Sequence, residues 1–166
     1  MKYLTEAEKK LQEMNIKNIH PLDLDNYQIY FDIAFANMSK LEKTNKTEML
    51  KSIVSKHSFI LEIVENTHLQ SFVVFRLFLE EGLRTLYVYE FHVVESQQSR
   101  GFGKQMMRQT IEIANQLGME MIILTCLKVN KRAFNFYVQF NFQLVEWSPT
   151  ESDPEKYYIL GLTLQK

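Results

Sequence analysis

Apolar residues along this chain change their spacing twice, and each change marks a change of element. In the first third they recur every three or four positions. Tyr27, Tyr30, Phe31, Ala34, Phe35 and Met38 fall on one face at that spacing, which predicts a helix that Asp23 and Asp25 can cap. Thr5 followed three residues later by Glu8 has the spacing of a capping box and opens an earlier helix through Met14. A shorter helix is predicted over 47–55. From residue 59 the period shortens. Residues 59–64, 70–78 and 86–94 are aromatic, aliphatic and β-branched runs joined by short polar turns, and they predict three strands in an antiparallel meander. Helical spacing returns over 102–117 and stops at Gly118, a good left-handed helix end. A buried strand over 121–126, a helix over 130–139 and a strand over 142–147 follow. Ser148 and Pro149 break that strand, an acidic loop comes next, and 157–164 supplies a last strand. With no linker, repeat or low-complexity tract, residues 1–166 are expected to form a single α/β (α+β) domain. Its N-terminal helices lie in 1–56 and its core sheet and cofactor site in 57–166.

Composition narrows the classes. A chain of 166 residues, 46% hydrophobic, can bury a core without metals or disulfides. A formal net charge of −1 argues against a nucleic-acid protein that works by bulk electrostatics, so no direct nucleic-acid partner is expected. The single cysteine, Cys126, suits a reducing cytosol or nucleus. No apolar run reaches membrane-spanning length and the first residues lack the apolar core of a secretory signal, which predicts a soluble intracellular chain with no membrane partner. His20, His57, His68 and His92 are dispersed and no Cys/His spacing supports a metal. Cys126 sits within an apolar strand and reads as a core thiol, not a nucleophile.

The most informative stretch is 98–104, Gln-Ser-Arg-Gly-Phe-Gly-Lys. It follows a predicted strand and opens a predicted helix. Glycines two apart let the backbone come close to an anion, and the N–H groups at a helix start point at it. Arg100 and Lys104 add positive charge. The spacing is neither that of a P-loop nor that of a dinucleotide fold. One strand later, Asn130, Ala133 and Tyr137 stand at offsets of three and four and so share a helix face. Taken singly, each feature is also an ordinary turn or an ordinary amphipathic helix; together they are far more specific.

Together they resemble the GNAT superfamily of acyl-CoA N-acyltransferases, and the element order agrees over nearly the whole chain. The resemblance implies a mixed central sheet with an antiparallel N-terminal meander, two strands splayed around acetyl-CoA, and flanking helices. Leu86-Tyr-Val-Tyr-Glu90, the turn ending at Lys104, Leu124-Thr-Cys-Leu-Lys-Val-Asn130, and Trp147-Ser-Pro149 with Tyr157-Tyr-Ile-Leu160 are most similar to the NatD branch. Enzymes of that branch acetylate the N-terminal amine of histone H4 and histone 2A. Two positions depart from the branch: Phe78 replaces an acidic residue two before Glu80, and Leu41-Glu-Lys-Thr-Asn-Lys46 lacks the branch's Tyr and Trp.

The resemblance gives the residues roles. Acetyl-CoA is the co-substrate, with no metal. Its pyrophosphate is expected on Gln98, Ser99, Arg100, Gly101, Phe102, Gly103 and Lys104, and its pantetheine on the backbone of His92, Val93 and Val94, as an added strand would pair. An N–H freed where the strands splay can meet the thioester oxygen, and Asn130 bonds the cofactor from the second helix. Glu90 is the expected base, acting through a water, and Tyr137 the donor to the departing thiolate. An extended strand turns Tyr87 and Tyr89 to one face and Glu90 to the other, and the resemblance implies a β-bulge that re-aims them. Glu80, Tyr87, Tyr89, Thr125 and Tyr157 are placed on the acceptor side, with Tyr89 and Tyr157 closing over the first residue. Glu151, Asp153 and Glu155 form either a solvated turn or, with Glu80 and Glu81, a groove for a cationic peptide. The expected acceptor is a protein N-terminus, foremost a tail like that of histone H4 or histone 2A, met in the cytoplasm and nucleus. A GNAT acetyltransferase for other N-termini or a small amine, and a non-catalytic acyl-CoA-binding domain, stay open as alternatives.

Overall fold

The hydrophobic periods become five helices and seven strands in a computed structural model that describes residues 2–14, 18–22, 25–55, 57–80 and 82–164, with only the backbone of 2–5. In chain order they are α1 (Lys2–Glu13), β1 (Ile19–Pro21), α2 (Gln28–Met38), α3 (Lys46–Ile53), β2 (Phe59–Glu65), β3 (His68–Glu80), β4 (Leu83–Val93), α4 (Phe102–Gln116), β5 (Met121–Leu127), α5 (Lys131–Val138), β6 (Gln143–Leu144) and β7 (Tyr157–Thr163). The strands join in one sheet of order β1-β2-β3-β4-β5-β7-β6. The meander is antiparallel as expected, and β4 and β5 form the parallel pair. A two-residue turn joins β2 to β3, with Asn66 and Thr67 both at positive φ, the geometry that matches strand twist.

The sheet carries a core on each face. Ala7 and Leu11 of α1, Met106 and Met107 of α4 and Tyr137 of α5 pack with Phe75, Leu86, Val88 and Leu124 on one side. Tyr30 and Ala34 of α2 and Met49 and Ile53 of α3 pack with Ile60, Phe72 and Val74 on the other. α4 buries Phe102, Met106, Met107, Thr110, Ile113 and Ala114, an i, i+4 stripe. The one hydroxyl in that stripe is satisfied, because Thr110 donates to the Met106 carbonyl at 2.9 Å. Gly118 follows at φ +70.

Several boundaries differ from expectation. α2 starts after Tyr27, whose side chain makes no capping bond, so Asp25 is not its cap; Asp23 and the Thr5 side chain lie outside the described residues. β1 carries too few residues for a period to show, and it forms because Ile19, His20 and Pro21 find partners on β2. The strand expected over 142–147 shrinks to β6, since Phe142 is a core residue at 1% exposure and the Val145 carbonyl accepts from Ser148 N. Asn45 caps α3, its Oδ1 accepting from Thr47 N and Glu48 N at 3.0 and 3.3 Å. Asn45→Ala is expected to destabilise the protein by about 1 kcal/mol, read as a shifted urea midpoint at unchanged slope; Asn45→Asp should keep most of the stability.

Candidate active site

The site begins where the parallel pair parts. β4 and β5 are in register from Thr85–Met121 to Val88–Leu124 and no further, although β4 runs on to Val93 and β5 to Leu127. Val94 N–H donates to Gln70 O at 2.9 Å, so strand alternation turns the Val93 N–H to the other, open side. Between the parted strands lies a cleft of about 970 Å³, walled by β4, β5, α5, the end of α2 and the turn before α4.

A β-bulge sets which side chains enter it. Val74 pairs with Glu90 while Phe75 pairs with Val88, leaving Tyr89 as the extra residue. Tyr87 and Tyr89 therefore face the α2–α3 side with their ring centroids 4.9 Å apart, and Glu90 and His92 follow on that same side. Glu90 Oε1 accepts from the Ser52 hydroxyl of α3 at 3.2 Å. Its Oε2 stands 2.7 Å from His92 Nε2. Without the bulge Glu90 would face the opposite core.

The glycine turn has the expected geometry. Ser99 and Gly101 adopt φ +64 and +94, and Gly101 leads into α4 with no side chain capping its first amides. A Cβ built on Gly101 meets no atom within 4 Å, so the approach to those amides is clear. Arg132 of α5 reaches back to hold the turn, donating to Gln98 Oε1 at 3.1 Å and to Ser99 Oγ at 3.2 Å. The Lys104 side chain lines the cleft. An anion at this place meets free N–H groups, a helix dipole and two cations.

On the far wall, Asn130 caps α5 by accepting from Ala133 N at 3.1 Å. Tyr137 lines the cleft while only 8% exposed. Burial raises its phenol pKa, with Cys126 and Glu90 adding to the effect, so the hydroxyl stays a protonated donor at neutral pH. Cys126 also lines the cleft, and burial pushes its thiol up to about 11, which leaves it a thiol and not a nucleophile.

The acceptor end is aromatic. Tyr87 bonds Thr125 Oγ1 at 2.9 Å, and Phe78 stands 6.2 and 6.3 Å from the Tyr87 and Tyr89 rings. Arg76 covers Tyr89 at 3.9 Å. Burial raises the Tyr87 phenol against the lowering effect of the Thr125 bond, and Tyr89, Glu80 and Tyr157 add to the rise.

A family model described as "Acetyltransferase (GNAT) family" matches residues 6–142. The chain belongs to this family. Solved structures of the same fold include the ribosomal-protein-S18-alanine N-acetyltransferase of Escherichia coli, at 14% identity over 89% of this chain and 94% of that one, with a TM-score of 0.66. Tetrahymena GCN5 matches at 14% identity over 89% and 95%, TM-score 0.68. Arabidopsis thaliana NAA60 in complex with acetyl-CoA matches at 13% over 88% and 97%, TM-score 0.65.

In this GNAT chain the cleft gathers Glu90, His92, Val93, Gln98, Ser99, Gly101, Gly103, Lys104, Asn130, Tyr137, Tyr89 and Thr125. The Val94 N–H is engaged by Gln70. The Phe102 side chain belongs to the core, so only its backbone can serve an anion. Arg100 bonds Gln97 Oε1 at 2.5 Å. Tyr87, Glu80 and Tyr157 stand outside the cleft lining, beyond Tyr89. Glu151, Asp153 and Glu155 of the acidic loop line a second groove with Glu42, and Lys128 and Lys156 stand among them; Asp153 also closes its own turn by accepting from Thr150 N at 2.7 Å, and Glu81 lies outside the described residues. Three residues that meet site groups had no signal in the sequence. Asn37, Ser52 and Arg132 are 55, 38 and 33 positions from the partners they meet.

Proposed function

We propose that this acetyltransferase moves the acetyl group of acetyl-CoA to the free α-amine of a protein N-terminus, foremost a tail like that of histone H4 or histone 2A. The observation that carries this reading is Glu90, placed by the bulge between the glycine turn and the Tyr87–Tyr89–Thr125 wall with 11% of its side chain exposed. An α-amine has a pKa of about 7.7–8.0, against about 10.4 for a lysine side chain. A sizeable share of α-amine is therefore neutral near pH 7, and a carboxylate acting through one water suffices to take its proton. Acetyl-CoA supplies the thioester carbonyl. The amides of 102–104 and Lys104 would hold its pyrophosphate, the Val93 N–H would take a strand-like bond, and the Tyr137 hydroxyl would offer the thiolate a proton. The E. coli neighbour, by its name, acetylates an alanine of a ribosomal protein. On this reading the chain acts in the cytoplasm and nucleus.

The Phe78 contacts favour a second acceptor class. With Tyr87 and Tyr89 it forms an apolar wall where the NatD branch has a carboxylate, so an arginine in the tail gains less here, and other N-termini or a small amine fit as well. Mass spectrometry of peptides incubated with enzyme and acetyl-CoA separates the classes. A Ser-Gly-Arg-Gly tail is expected to gain one acetyl group on its α-amine, and the same tail with a blocked N-terminus none. Lysine acetylation of the blocked peptide would refute the N-terminal reading. Equal rates on unrelated N-termini would leave a broader N-terminal acetyltransferase.

A further inference from the structure

On the floor of the cleft Glu90, His92 and Asn37 stand in line, with Ser52 of α3 behind Glu90, and the proposed chemistry uses only Glu90. Glu90 Oε2 lies 2.7 Å from His92 Nε2, and His92 Nδ1 faces the Asn37 amide nitrogen at 3.4 Å. Ser52 stands at the other carboxylate oxygen. The His92 and Glu90 side chains are 7% and 11% exposed. Asn37 cannot be turned over, because the same Nδ2 donates to Val93 O at 3.1 Å and a flip would set oxygen against oxygen. Asn37 thus presents its second amide hydrogen toward His92 Nδ1, and the tautomer that accepts it completes the contact. The ring's one proton then sits on Nε2 and points at Glu90. With Nδ1 facing a donor, a proton taken up by Glu90 finds no onward route through the ring.

Beside His92, the Ser52 hydroxyl is the one other side-chain donor on the carboxylate among the described residues. Arg76 of β3 is turned onto Tyr89, Ser58 Oγ and Ser52 O. Tyr137 of α5, a neutral phenol, and the Cys126 thiol of β5 line the same cleft as Glu90. Ser52 has one hydroxyl proton and two acceptors, Met49 O at 2.8 Å and Glu90 Oε1 at 3.2 Å. The His92 contact is the shorter and is undivided.

We propose that His92 is a positioning residue for Glu90. As a neutral imidazole locked by Asn37, it aims the carboxylate into the cleft through Nε2–H and does not carry the proton away. This role presupposes Glu90 as the base.

Nitrogen-15 NMR of the full chain, without ligand at neutral pH, is the first test. The His92 ring, assigned by its loss in His92→Gln, is expected to show a protonated Nε2 and an accepting Nδ1. A proton on Nδ1, alone or in an imidazolium, overturns the proposal. A double-mutant cycle with the best acetylated tail peptide is the second. His92→Leu should lower kcat about tenfold to a hundredfold, the loss expected for a hydrogen bond to a charged group, with the acetyl-CoA KM unchanged. His92→Gln, which keeps an N–H donor, should restore most of that rate. In a Glu90→Gln background, His92→Leu should add no further loss. The same loss in both backgrounds, or an effect on KM alone, overturns the positioning role and leaves the base assignment standing. Parental turnover in Glu90→Gln alone overturns the base assignment itself, and the role of His92 with it.

Discussion

Replacing Glu90 by Gln is expected to lower turnover about 10²–10⁴-fold, the usual cost of losing a general base, while acetyl-CoA binds as before. The substitution keeps the shape of the side chain and one oxygen for the His92 or the Ser52 donor, and it removes the charge and the capacity to take a proton. Nothing in the glycine turn touches Glu90, so the cofactor site is left as it was. Turnover measured across neutral pH, with acetyl-CoA affinity from calorimetry, checks both halves; a near-parental rate would take Glu90 out of the mechanism. Tyr137→Phe is expected to cost less. Its hydroxyl is a protonated donor, but a thiolate with a pKa of about 8.5, taking cysteine as the model, can leave without one.

Gly101→Val is expected to raise the coenzyme A dissociation constant about fivefold to thirtyfold, since a left-handed backbone costs roughly 1–2 kcal/mol in a residue with a Cβ. At φ +94 the glycine sits where side-chain-bearing residues rarely go. The added side chain meets open space in the protein, so the fold does not collide with it. What suffers is the backbone turn that presents the α4 amides and the room for an anion to reach them. Calorimetry with coenzyme A, beside a thermal melt that shows the variant folded, is the check. Unchanged affinity would move the pyrophosphate away from this turn.

Much of this molecule is legible in its sequence because the decisive signals are local. Period changes at residues 59 and 102 locate the meander and α4, and Gly118 marks the end of α4. The glycine turn and the Asn130–Ala133–Tyr137 spacing locate two walls of the cleft. What stayed hidden is long-range. β1 forms only because β2 is there to pair with, and β6 is cut short because Phe142 serves the core. The same holds for Asn37, Ser52 and Arg132, which come from other elements to hold Glu90's neighbour, Glu90 itself and the glycine turn. The bulge has no signature either: in the run Tyr-Val-Tyr-Glu-Phe-His-Val, alternation alone sets Glu90 apart from the tyrosines, and only the family resemblance implied otherwise.

That bulge makes β4 a strand whose side-chain parity changes once along its length. Before it, Leu86 and Val88 serve the α4 side, and Tyr87 and Tyr89 the other. After it, Phe91 and Val93 serve the α4 side, and Glu90 and His92 the other. A residue can therefore be lost at position 89 without exchanging the two faces, because the loss merely restores a regular pleat and leaves Glu90 where it is. With the bulge kept, a residue lost or gained between Leu86 and Val88 exchanges the faces beyond it, turning the carboxylate and the imidazole toward the α4 side and Phe91 and Val93 toward the α2–α3 side. The bulge is thus a point at which β4 tolerates a change of length, and it seats an aromatic wall and a carboxylate side by side on the same face.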